Sequence, residues 1–92
     1  MSQGKPTFRL GTAVEITTVL SRNNPNSVKI TIEDAGETAQ IVDATMTAGG
    51  ANIYTYVWQS DIANTEGDYE VTIKAVYGAF TALSKSSFEL IE

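Results

Sequence analysis

A chain of 92 residues is long enough for one compact core and too short for two, so residues 1–92 are expected to form a single domain. Apolar residues make up 42% of it and charged residues 18%, too hydrophobic a balance for disorder, and the many Thr, Val and Ile residues favour strands over helices. A formal charge of −5 repels phosphate backbones and excludes nucleic acid as a partner, while the absence of cysteine removes disulfides, thiolate nucleophiles and thiolate metal ligands.

Turn-forming residues divide the chain at short, regular intervals, the spacing of a sandwich or barrel, and seven strands are expected. Residues 6–10 make a short first strand closed by Gly11. Residues 13–20 set Val14, Ile16, Thr18 and Leu20 against Glu15, Thr17 and Val19, and end in a turn-rich loop at 21–27. The cleanest alternation lies at 28–33, with Val28, Ile30 and Ile32 opposite Lys29, Thr31 and Glu33, which implies one buried and one wet face. A turn at Asp34, Ala35, Gly36 and Glu37 leads to a weaker strand at 39–47, stopped by Gly49 and Gly50. Residues 53–59 carry Tyr54, Tyr56 and Trp58 at period two. An acidic connection follows, and residues 67–77 then alternate Tyr69, Val71, Ile73 and Ala75 with Glu70, Thr72, Lys74 and Val76. The last strand spans 80–91 with Phe88 and Leu90 in the inward phase, and its weak middle at 84–87 suits a bulge.

Seven antiparallel strands of this length match the constant-type immunoglobulin sandwich. The expected fold is therefore an all-β, immunoglobulin-like antiparallel sandwich that buries Val14, Ile16, Val28, Ile30, Ile32, Tyr69, Val71, Ile73 and Phe88. A turn at Gly67 and Asp68 runs straight into Tyr69 at the start of the penultimate strand, where such folds place a tyrosine whose hydroxyl bonds back to the preceding loop. Three stretches, Phe8-Arg9-Leu10-Gly11-Thr12-Ala13-Val14-Glu15-Ile16, Val28-Lys29-Ile30-Thr31-Ile32-Glu33-Asp34-Ala35-Gly36 and Gly67-Asp68-Tyr69-Glu70-Val71-Thr72-Ile73-Lys74-Ala75, carry a further likeness. Through them the chain resembles the immunoglobulin-like modules of bacterial and archaeal surface proteins, including macroglobulin-type domains. That resemblance implies a spacer, adhesive or recognition unit joined to other domains of a longer surface or virion protein, at an extracellular or cell-surface address. It departs from antibody domains, because the cysteine pair is missing and the sole Trp lies on the fifth expected strand, so an immune role is not implied.

Catalysis at neutral pH calls for a tuned base, an activated nucleophile or a metal. With no His, no Cys and no G-x-S-x-G or S-x-x-K motif, a non-enzyme without cofactor is expected. The loop holding Asp61, Asn64, Glu66 and Asp68 gathers oxygen ligands, but Ala63 stands at the third position of a calcium loop and breaks that pattern. The loop at 21–27 sits where sandwich loops cluster and reads as an ordinary connection. No apolar run approaches the roughly 20 residues of a membrane helix, and no charged-then-apolar leader opens the chain, which fits a domain cut from a longer protein or a protein that is not secreted by that route. The one strip with binding potential is Tyr54, Tyr56 and Trp58. Turned inward, the three rings bury the larger apolar area. Turned outward, they form a flat stacking platform for a glycan, the reading of a carbohydrate-binding module.

Overall fold

Period-two patterning sets nearly every element. The computed structural model describes residues 6–22 and 24–92, and its strands are β1 (Thr7–Arg9), β2 (Ala13–Val19), β3 (Ser27–Glu33), β4 (Ala39–Thr45), β5 (Thr47–Ala48), β6 (Ile53–Gln59), β7 (Gly67–Tyr77) and β8 (Phe80–Ile91). They form two sheets, one of five strands in the order β1-β8-β7-β3-β4 and one of three in the order β2-β6-β5. Aromatic and aliphatic side chains of both sheets meet in a single core, the arrangement of a two-layer sandwich.

Three expectations change. The described residues form eight strands, because residues 39–47 do not form one: β4 pairs with β3 in the larger sheet, and β5 pairs with β6 in the smaller. The chain crosses between layers at Met46, which is only 4% exposed and whose amide donates to the Val28 carbonyl at 2.9 Å. Burial of this flexible thioether fixes the corner. Nor is the fold purely antiparallel, since β1 lies parallel to β8 with Phe8 beside Leu90. The bulge expected at 84–87 is absent as well, because β7 and β8 pair without a register shift from Gly67 and Leu90 to Tyr77 and Phe80. Irregular pairing falls on β4 instead, where the register slips opposite Ile30, Ile32 and Glu33. There Asp43 adopts φ 50°, and its amide takes the Thr31 hydroxyl as acceptor at 3.2 Å.

The inward rows follow the alternation. Val14, Val28, Ile30, Ile32, Tyr69, Val71, Ile73 and Phe88 are buried, together with Ala75 and Leu90, and Ile16 packs half-buried against them. At about 25 cal/mol per Å² of apolar surface, each large member contributes on the order of 1.5–3 kcal/mol. A one-residue slip of β3 or β7 would expose an entire row. The hairpin between β7 and β8 turns on Gly78 and Ala79, and Gly78 has φ +61°, the positive value that the first central residue of a type II′ turn requires.

Candidate functional site

The aromatic strand faces inward. Trp58 is 7% exposed, while Val57 on the opposite phase is 55% exposed. Tyr54 and Tyr56 are half-buried against the core. The Trp58 ring lies 5.6 Å from Tyr69 and 6.2 Å from Phe88, both in the other sheet, and Tyr69 stacks on Phe88 at 5.4 Å and 9°. Phe8 closes this group edge-on to Phe88 at 5.8 Å. Trp58 is thus the ring that joins the two layers, and its faces are spent on protein. In the alternate row of the same strand Val57 is exposed, while Ile53 and Thr55 are half-buried as Tyr54 and Tyr56 are.

Most of the polar side chains with defined partners gather at one end of the sandwich, and they bond mostly to backbone. Ser60, 3% exposed, donates from Oγ to the Thr12 carbonyl at 2.6 Å and accepts from the Gly11 amide at 3.0 Å. Gln59 Nε2 reaches the Gly11 carbonyl at 2.9 Å. The turn between β1 and β2 is thereby clamped to the end of β6. In the next loop Asp34 Oδ1 accepts from the amides of Gly36 and Thr38, both at 2.9 Å, an Asx-type closure. Asn64 Nδ2 donates to Gln40 Oε1 at 3.3 Å, which ties that loop to the acidic connection. Within the connection, Asn64 Oδ1 accepts from the Asp61 amide and Asp61 Oδ1 from the Ala63 amide. These oxygens therefore shape the turn. Among the described residues, no group of three or more acids is placed to hold a metal ion. The tyrosine at the start of β7 behaves as its position predicts, since its hydroxyl donates to the Thr65 carbonyl at 2.7 Å.

Sequence reasoning missed Ser60. A serine between an alternating strand and a run of turn formers reads as solvated, and only the approach of residues 11 and 12 from the far end of the chain makes it a buried clamp. The loop at 21–27 carries Asn23, which lies outside the described residues, as do residues 1–5. Its described members serve the β7–β8 turn: Asn26 Oδ1 accepts from the Gly78 amide, the Arg22 carbonyl accepts from the Tyr77 hydroxyl at 3.1 Å, and the Arg22 guanidinium lies 5.2 Å from the Tyr77 ring centre.

Two surface features remain. A cleft lined by Glu33, Asp34, Glu37, Asp68 and Glu70, with Ala35, Tyr69 and Ser87 between them, is rich in acids, and Glu33 stands directly opposite Glu70 on neighbouring strands, a repulsive pairing. The second is an open slot between β2 and β8 made of two separate openings, one lined by Phe8, Val14, Ile16, Val71, Ser86 and Phe88 and the other by Thr18, Leu20, Ile73, Ala75, Ala82 and Ser84.

No protein-family model matches the sequence, and a search of curated proteins gives no match. Among solved structures, the endo-beta-1,4-mannanase from Thermotoga petrophila contains a region of similar fold, with a TM-score of 0.70 and 12% sequence identity over 96% of this chain and 18% of that one. This chain thus spans less than a fifth of that protein. At such identity the likeness concerns the fold alone.

Proposed function

We propose that the chain is a non-catalytic, immunoglobulin-like module that acts as a structural or adhesive unit within a longer surface or virion assembly. One observation carries this reading: the first strand lies parallel to the last. The Glu89 amide donates to the Pro6 carbonyl at 2.9 Å, and the Leu10 amide to the Ile91 carbonyl at 2.8 Å. The polypeptide therefore enters and leaves the sandwich travelling in one direction, which suits units that follow one another in line. Tension applied at the two ends loads the β1–β8 hydrogen bonds side by side in shear, whereas a hairpin opens its bonds one at a time.

Strand order supports the immunoglobulin-like assignment, since β2, β6 and β5 in one layer and β3, β7 and β8 in the other divide as the B, E, D and C, F, G strands of that fold do. The tyrosine bond at the start of β7 is a second support. The buried and half-buried polar side chains of the loop end bond to turns, a use that serves rigidity. Single-molecule unfolding tests the proposal. Pulled through its ends, the domain should resist a higher force than when pulled between residue 92 and the Gly78 turn, which peels β8 from β7. Equal or lower resistance through the ends sinks the spacer reading.

A further inference from the structure

We propose that the outer edge of β8 is a self-pairing surface through which two copies of the chain join their five-stranded sheets into one continuous sheet. Among the described residues, β1 covers β8 only at Glu89, Leu90 and Ile91. The Glu89 amide and the Ile91 carbonyl both point to that side, and alternate residues of an antiparallel strand aim their backbone groups the same way. Because β7 and β8 pair without a slip, Ser87, Lys85, Leu83 and Thr81 present the same row of donors and acceptors to the open edge.

The other edges are defended. β1 is three residues long, β4 is broken by its register shifts and by Asp43, β5 is two residues long, and β2 carries the charge of Glu15. Such devices are how sheets avoid pairing with other chains. The β8 edge is the most weakly defended: it is long and unbroken, and in a chain of net charge −5 the stretch from Phe80 to Phe88 holds no acid. Its one guarding charge, Lys85, forms an exposed ion pair with Glu70 at 4.0 Å, which offsets it in part. Two large apolar side chains stand exposed along it, Phe80 at 66% and Leu83 at 64%.

An antiparallel pair related by a two-fold axis at Ser84 uses the whole row. Thr81 then faces Ser87 of the second copy, and Leu83 faces Lys85. On the inner face, small Ala82, Ser84 and Ser86 meet across the axis, and Phe80 comes opposite Phe88 of the second copy, over the open slot. A second copy fits this edge because its strand supplies the same acid-free sequence in complementary register.

Sedimentation equilibrium of the full chain from micromolar to millimolar concentration tests the proposal, with Leu83→Lys and Leu83→Glu beside it. Leu83 is mostly exposed, so both variants should fold, as circular dichroism and Trp58 emission will verify. The parent should dimerise reversibly. Leu83→Lys sets lysine against lysine in two symmetric positions and should weaken association about tenfold, whereas Leu83→Glu sets glutamate against Lys85 and should leave it equal or tighter. A chain that stays monomeric, that pairs only with an added foreign strand peptide, or whose two variants weaken association alike overturns the proposal.

Discussion

The hydroxyl of Tyr69 donates to the carbonyl of Thr65, four residues earlier, at 2.7 Å, while its ring stacks on Phe88 at 5.4 Å. One side chain thus fixes both the entry to β7 and the layer of aromatic rings beneath it. Tyr69→Phe keeps the stacking and removes the bond, so it should cost about 0.5–1.5 kcal/mol, the net worth of one hydrogen bond, and leave the fold intact. Burial first, and then the Asp34 carboxylate, raises the phenol pKa above its ordinary 10.0. A raised pKa in the folded state means stability is fully present below pH 10 and is lost as pH climbs through the folded value. Denaturation midpoints of parent and variant measured across that alkaline range should converge. A constant difference would show that Tyr69 does not titrate with folding.

Ser60 carries a heavier penalty for its size. Its Oγ serves the Thr12 carbonyl and the Gly11 amide at once in a position 3% exposed. Ser60→Ala leaves the Gly11 amide without that acceptor and takes a partner from Thr12. The expected loss is about 1–3 kcal/mol, read as a lower urea midpoint with an unchanged slope. Ser60→Thr, which restores the hydroxyl, should recover part of it. A Ser60→Ala variant as stable as the parent would mean the clamp is replaced by water at no cost.

Gly11 allows two causes to be separated. It has φ +86°, and a Cβ placed there would lie 2.8 Å from Cγ2 of Ile62, a side chain that is 80% exposed and free to swing away. Backbone conformation is then the dominant cost, so Gly11→Ala should destabilise by about 1–2 kcal/mol. Adding Ile62→Ala should recover little of that in a double-mutant cycle. Full recovery would put the penalty on the contact instead.

These residues also mark what a sequence discloses. Ile30 and Ile73 declare their burial because period-two alternation is local, and Tyr69 declares its bond because the turn before it is local too. The parallel β1–β8 pair is invisible in the same way that Ser60 is, since both depend on residues far apart in the chain meeting. Met46 gives a subtler case. Nothing between residues 39 and 47 breaks the strand pattern, yet the chain changes sheets there because one side chain gains more by entering the core than by continuing the ladder. The slot beside β8 was hidden behind an expected bulge, as weak strand patterning at 84–87 reflects three serines and a lysine on an edge that no described strand pairs there rather than an irregular backbone.

Trp58 decides between the two uses of the aromatic strand, and as the sole Trp it reports on itself. Its ring touches Tyr69 and Phe88 across the sandwich, and its position is 7% exposed, so its emission should be blue-shifted and poorly quenched by acrylamide. Tyr54 and Tyr56 share its face and lean on the same core. A glycan seeking a stacking platform would have to draw all three rings out, at a cost on the order of 1.5–3 kcal/mol for each large side chain removed from the core. Polysaccharide should therefore leave the emission unchanged, and Trp58→Ala should destabilise the fold by about 3–5 kcal/mol, the range for an aromatic deleted from a packed interior. A red-shifted, readily quenched tryptophan that responds to mannan or cellulose, in a variant series where Trp58→Ala folds as well as the parent, would place the rings outside and make the strand a binding surface.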